Sequence, residues 1–344
     1  MTKTFDVAVV GVTSLVGEAI VELLAEREFP LGAFYPLADE QSAGNSIGNK
    51  VEFGGKYHTV RDVAEFDFAQ VQIALFCAGS AVAEQHATRA ARTGCMVIDA
   101  SPCFRADDEV PLVIPEVNPE AIVRIAQRNI VASPDSATVQ LLVAVKPIYD
   151  AVGIERINVV SYQAVSAYDK AGVEELASQT IALLNMQDVK HQVFPRQLAF
   201  NVLPQIDTLE DNGYTRDEMK MLHESQKILA DEAMFINATI VQAPVFFGHS
   251  QAVHLETGTK LAAQEARKLL RRAPGVKVVD EAKPGGYPTA VTDAAGQNEV
   301  FVGRIRDDIS HPQGLDLWIV ADNVRKGAAL NVVQLAELLV KDVL

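Results

Sequence analysis

Apolar positions in the first third of the chain come in short continuous runs, each followed by a turn and an amphipathic stretch. Phe5 to Val10 reads as a strand buried on both faces, Gly11 to Gly17 as a glycine turn, and the residues to about Arg27 as a helix. The unit returns: Ala33 to Leu37 is a second strand, and Gln72 to Phe76 a third that ends in small residues before a helix to about Arg92. Val97 to Asp99 is a fourth strand. Strands alternating with helices predict a parallel sheet. A further apolar strand ends at Ala132, where Ser133 reads as an N-cap, Pro134 as a first helical position, and Asp135 and Ser136 as the opening of a helix to about residue 150.

Beyond that helix the pattern changes. Ile154 to Ser166, Thr239 to Phe247, Ala252 to Glu256, Val300 to Arg306 and Leu315 to Ala321 read as strands, with helical patterns near 171–185, 215–230 and 261–272 between them. This predicts a second, α+β domain with a mixed or antiparallel sheet. The division falls at residue 133, with 134–324 as the second domain and an apolar-faced helix over 325–344 returning to the first. The fold class is α/β followed by α+β.

Composition narrows the partners. The 344 residues carry 45 acidic and 30 basic side chains, a formal net charge of -15, which disfavours nucleic acid or an anionic membrane surface. With no charged-then-apolar leader and no spanning apolar run, a soluble cytoplasmic protein with small-molecule or protein partners is expected. Three cysteines, Cys77, Cys95 and Cys103, without CxxC spacing fit a reducing compartment. Seven histidines without a ligand cluster predict no metal site.

Candidate chemistry concentrates at two turns. In Gly11-Val-Thr13-Ser14-Leu-Val16-Gly17 the first glycine makes a tight turn and the last allows close packing of helix on strand, while Ser14 puts a Cβ where a pyrophosphate would approach. Asp39, at the end of the second strand, is placed to accept from the ribose hydroxyls of NAD and to repel the 2′-phosphate of NADP. Ser136 stands at a helix start beyond the carboxyl end of a strand, where open α/β folds place their chemistry.

Over nearly its whole length the chain resembles the aspartate-semialdehyde dehydrogenases. The resemblance is carried by Gly11 to Gly17, Ser42-Ala-Gly44, Phe104-Arg105, Ile114 to Pro119, Ser161 to Ser166, Phe200 to Pro204, Asp211 to Tyr214, Pro244 to Ser250, Val302-Gly-Arg304 and Ala321 to Ala328. It implies a Rossmann-type domain and a dimerisation and catalytic domain, usually as a homodimer. It also implies a reaction in which a cysteine attacks β-aspartyl phosphate and NADPH reduces the thioester. Arg105, Gln163, Lys220 and His249 match family residues. The nucleophilic cysteine falls on Ser136, its preceding asparagine on Asp135, a carboxylate-binding arginine on Gln242, and an acid of the lysine motif on Asp217.

Ser136, His249 and Gln163 are therefore the catalytic positions. Arg105, Lys220, Asp135, Asp217 and Gln242 are the substrate positions. Gly11, Thr13, Ser14, Val16, Gly17, Asp39, Gly79 and Asn323 are the cofactor positions. The family's serine and arginine for the 2′-phosphate fall on Asp39 and Gln41, so NAD is favoured over NADP, with no cofactor as a further outcome. A glycine-rich loop of the family falls on Ser166-Ala-Tyr168-Asp169, adding side chains that fill space at the cleft. An acyl-serine is an oxoester and resists hydride more than a thioester.

The favoured expectation is a catalytically silent relative, similar to the Usg-type paralogues that lack the cysteine, keeping fold and dimer and binding a protein partner or a small anion through Arg105 and Lys220. The alternatives are an NAD-preferring oxidoreductase of an acyl phosphate or semialdehyde, with Cys103 or Cys77 as a displaced nucleophile, and an ester hydrolase using Ser136 with His249 as base.

Overall fold

The computed structural model describes residues 3–39 and 46–344. It forms two compact units: Met1–Asp135 with Ala328–Leu344, and Ser136–Gly327. The resemblance-based readings of Gln41 and of Ser42 to Gly44 fall outside the described residues.

The first unit opens with β1 (Phe5–Val10), α1 (Leu15–Glu26) and β2 (Leu31–Ala38). A short hairpin, β3 (Lys50–Phe53) and β4 (Lys56–Thr59), and the two-residue β5 (Arg61–Asp62) follow. Then come β6 (Ile73–Phe76), α2 (Ser80–Arg92), β7 (Met96–Asp99) and β8 (Ile130–Ala132). The sheet order is β5-β2-β1-β6-β7-β8 and every pairing is parallel. Both faces are covered, so the central strands are apolar throughout: Val7, Val9, Leu75 and Ile98 have no exposure. The hairpin escapes the hydrophobic pattern because its residues are half-exposed or exposed.

The second unit begins with α3 (Ser136–Val152) and β9 (Ile154–Gln163). It continues through α4 (Asp169–Leu184), α5 (Arg216–Leu229), β10 (Phe235–Gln242), β11 (His249–Thr257), α6 (Ala263–Leu270), β12 (Val276–Val278), β13 (Val300–Asp307) and β14 (Gly314–Ala321). Its sheet runs β10-β9-β11-β14-β13-β12, with β10 parallel to β9, β12 parallel to β13, and the three central pairings antiparallel. Burial alternates residue by residue along β11, as expected for a sheet whose two faces differ. His249, Gln251, Val253 and Leu255 are on the buried side, and the Gln251 amide donates to Ala137 O of α3 at 2.9 Å.

The chain then returns to the first unit as α7 (Leu330–Asp342). Asn331 donates to Val113 O (3.1 Å) and Ser133 Oγ (2.8 Å), and Glu337 takes a bidentate ion pair from Arg27, both contacts at 2.7 Å. Two sequence readings change here. Ser133 is not a helix cap, because its hydroxyl accepts from Asn331 while its N–H donates to Asp99 O, and α3 starts only at Ser136. Arg325–Ala329 is a π turn rather than the first turn of the last helix, closed by Gly327 N–H on Asp322 O at 2.9 Å.

Candidate active site

Sheet direction explains which residues meet in the second unit. β9, β10 and β14 end at one edge of the sheet with Gln163, Gln242 and Ala321, and antiparallel β11 begins there with His249. Gln163 pairs with Gln242 across β9 and β10, and His249 with Ala321 across β11 and β14. The loops leaving that edge carry Ala164 to Tyr168 and Asp322 to Gly327.

His249 is fully buried. Its Nδ1 accepts from the Ala164 backbone N–H at 3.0 Å, and its Nε2 lies 3.2 Å from Ser136 Oγ. A backbone N–H can only donate, so the neutral ring carries its proton on Nε2, which donates to Ser136. This corrects the expectation of His249 as a base for Ser136: the nitrogen facing the hydroxyl has no lone pair to offer. Ser136 is the first residue of α3, at the positive end of the helix dipole. Gly327 comes close to it, and a Cβ at 327 would lie 2.6 Å from the Ser136 Cβ.

The neighbouring amides are largely committed. Gln242 is buried, and its Nε2 donates to Gln163 O at 2.8 Å while its Oε1 has no partner among the described residues. Asn323 accepts from Gly248 N–H (3.0 Å) and exchanges hydrogen bonds with Ser166 Oγ at 3.0 and 3.1 Å. The residue placed on the cofactor by the sequence thus also knits three loops together. Gly248, at φ +90, has no room for a Cβ, which would lie 2.9 Å from Ala290 O. Asp169 sits at φ 56, ψ -156, a conformation almost confined to glycine, where the resemblance expects one. Gln140, which the sequence did not single out, reaches His249 O and Ile319 O, each at 3.4 Å.

Lys220, on α5, donates to Asp217 Oδ1 at 2.6 Å and Asp207 Oδ2 at 3.1 Å. The capping box of Thr215 and Glu218 fixes the helix start that sets Asp217 three residues before it. Burial opposes the Asp207 carboxylate, but hydrogen bonds from Thr208 and Lys220 win and hold it below its ordinary range. Burial, then Asp217 and Asp207, pushes the Tyr168 phenol up. Tyr168 packs edge-on against Phe194 with ring centroids 5.1 Å apart.

In the first unit, Arg105 is 9% exposed. Its Nη2 donates to Ala100 O at 2.8 Å, and Nη1 lies 3.7 Å from Asp135 Oδ2. Asp99 is fully buried and accepts from the Ser101 N–H (3.1 Å) and hydroxyl (2.8 Å). Burial raises it to about 6 against those bonds and the Arg105 charge. Burial and then Asp99 push the Cys103 thiol up, and burial drives Cys95 up to about 12, so neither thiol is activated. Cys77 follows β6 and is held by Val10 O (3.1 Å) and Gly11 O (3.5 Å).

The turn after β1 fits the pyrophosphate of a dinucleotide. Gly11 takes φ +88, and a Cβ on Gly17 would lie 2.2 Å from Gly11 O. Ser14 caps α1: its Oγ accepts from Gly17 N–H at 3.0 Å and donates to Gly11 O at 2.8 Å. The hydroxyl is thereby folded onto the turn. Thr13 Oγ1 donates to Ser46 Oγ at 3.0 Å, and Val16 is half-buried on the first helical turn. Gly79, at φ +86, opens α2 with open space around it. Asp39 follows β2 and makes no hydrogen bond within the described residues. No group of three or more possible metal ligands occurs among the described residues, and no helix there is long and apolar enough to cross a membrane.

A parallel Rossmann-like unit with a glycine turn, joined to a mixed-sheet unit with its own helix-start site, defines a two-domain nucleotide-binding protein of the dehydrogenase type. Residues 6–125 match the semialdehyde dehydrogenase NAD binding domain, and residues 145–326 the semialdehyde dehydrogenase dimerisation domain. Aspartate-semialdehyde dehydrogenases of Shewanella sp. (strain DB6705) and Legionella pneumophila are each 51% identical, over 99% and 100% of this chain and 99% and 98% of theirs. The crystal structure of aspartate semialdehyde dehydrogenase II from Vibrio cholerae, complexed with ASA, is 50% identical with a TM-score of 0.96 over 100% of both chains. A probable aspartate-semialdehyde dehydrogenase from Pseudomonas aeruginosa is 38% identical with a TM-score of 0.94, over 99% of this chain and 100% of its own. The chain belongs to the aspartate-semialdehyde dehydrogenase family.

Proposed function

We propose that this chain keeps the fold, the dinucleotide-binding unit and the homodimer of its family without its thioester chemistry, in the manner of the Usg-type paralogues. The observation that carries the reading is the pair Ser136 and His249. The position that needs a thiolate holds a hydroxyl, and that hydroxyl accepts from His249 Nε2–H at 3.2 Å instead of losing its proton to the ring. Ester hydrolysis by the same pair lacks its base for the same reason.

Two further positions support the reading. Asp135 faces Arg105, and Gln242 spends its amide N–H on Gln163 O where the resemblance expects a guanidinium. A glutamine cannot replace the bidentate grip of an arginine on a carboxylate. A bound dinucleotide supplies hydride exchange. Gly11, Thr13, Val16, Gly17 and Gly79 would hold its phosphates, and Asp39 its ribose, which favours NAD.

The test is turnover of purified protein with aspartate β-semialdehyde, phosphate and either NAD or NADP, following the reduced nicotinamide. No turnover is expected with either cofactor, and an ordinary enzymatic rate overturns the reading. The triple variant Ser136→Cys, Asp135→Asn, Gln242→Arg is the companion measurement, and turnover should appear in it. An NAD-preferring oxidoreductase is the second reading, favoured by Asp39 and the intact glycine turn; it predicts wild-type turnover with NAD alone.

A further inference from the structure

Ser136 opens a helix and His249 opens a strand, 113 residues apart in sequence, yet their side chains meet at 3.2 Å. Such a contact keeps its geometry only when neighbouring hydrogen bonds lock the groups that make it. The Gln251 amide, two residues along β11 from His249 and on the same buried face, donates to Ala137 O of α3 at 2.9 Å. The Gln140 amide, one turn along α3 from Ser136, donates to the carbonyl of His249 itself and to Ile319 O, each at 3.4 Å. Each element thus donates to the backbone of the other, beside the residue that carries the site.

Packing does not account for glutamine at either position. Both residues have no exposure, and their buried neighbours along the two elements include Leu141, Ala144 and Ile148 on α3 and Val253 and Leu255 on β11. Gln140 Oε1 and Gln251 Oε1 have no hydrogen-bond partner among the described residues, and burying such an atom costs free energy that leucine would not. What the amides add, and leucine cannot, is a fixed distance between α3 and β11.

We propose that Gln140 and Gln251 are positioning residues, a reciprocal amide brace that sets the Ser136–His249 hydrogen bond. They act through the backbone of Ala137 and His249. The brace does not depend on turnover, since it concerns the contact itself.

The experiment is NMR of the full-length protein carrying isotope-labelled histidine, with the His249 ring signals identified by their loss in His249→Asn. It reads the chemical shift of the Nε2 proton and the rate at which that proton exchanges with water. Ser136→Ala marks the shift when the hydrogen bond is absent. In Gln251→Leu and in Gln140→Leu the proton should move from its wild-type shift toward that mark and exchange about tenfold faster or more. Val253→Ala, a loss of buried volume on the same strand face, should leave both values where they are. Wild-type values in either leucine variant, or an equal change in Val253→Ala, overturn the proposal. So does a wild-type Nε2 proton that exchanges too fast to be seen, because a fixed and buried bond protects it. If a leucine variant fails to fold, Gln251→Met or Gln140→Met takes its place under the same criteria, keeping the length of the side chain without its donor. Wild-type turnover would overturn the proposed function and leave these spectra valid, so the two failures are distinguishable.

Discussion

Gly327 approaches Ser136 so closely that a Cβ on the glycine would lie 2.6 Å from the Cβ of the serine. The contact joins a π turn to the first residue of α3, and it exists because residue 327 has no side chain. The expected effect of Gly327→Ala is a loss of about 1–3 kcal/mol, the usual result of forcing atoms into a packed region. Urea unfolding of the pure variant measures it. A midpoint equal to wild type would show that the loop gives way freely.

Ser136→Cys should create the most reactive thiol in the protein. The new sulfur stands at a helix start and receives a hydrogen bond from His249 Nε2–H, both of which favour thiolate. Cys95 and Cys103 are shifted the opposite way. The pH profile of reaction with an aromatic disulfide should show an extra phase with an inflection below the ordinary thiol value of about 8.5. An added phase at or above that value contradicts the local field described here.

Asp99 gives the fold a pH dependence whose sign follows from its burial. Its ordinary value of 3.8 is raised to about 6, so the native state holds the proton more tightly than the unfolded chain does. The stabilisation is full below about pH 4 and is lost as pH rises to about 6, by on the order of 3 kcal/mol. Many other carboxylates titrate in this window, so the measurement is a difference. The stability of wild type minus that of Asp99→Asn should fall across the window and level off above it.

For the dinucleotide unit, NADH should raise the melting temperature more than NADPH at equal concentration, through binding to the native state alone. Asp39→Ser should narrow the gap by removing the carboxylate that repels a 2′-phosphate. An unchanged gap would take the selectivity away from Asp39.

Patterns governed by local periodicity were legible in the chain: the continuous apolar runs of β1, β6 and β7 and the change of texture after residue 150. The hairpin of residues 50–59 was not, because each of its strands is only four residues long and half-exposed or exposed, too short for its alternation to stand out. Ser133 and Pro134 carry the chemistry of a helix start, yet Asn331, 198 positions away, claims the Ser133 hydroxyl. The site positions were found through the resemblance to a known family, but the state of the site was not. Ala164 fixes the His249 tautomer with a backbone N–H, which any residue but proline could supply. Asp207 joins Lys220 from 13 residues away without a motif to announce it.

The return of Ala328–Leu344 to the first unit has a consequence for synthesis. Leu330, Val332, Val333, Leu335, Ala336 and Leu339 fill the core of a unit whose sheet leaves the ribosome first. That unit must wait, its apolar surface uncovered, while all of Ser136–Gly327 is translated. The nascent chain therefore passes through a stage in which the second unit can be finished and the first cannot, and a chaperone that binds exposed apolar surface would find its substrate there.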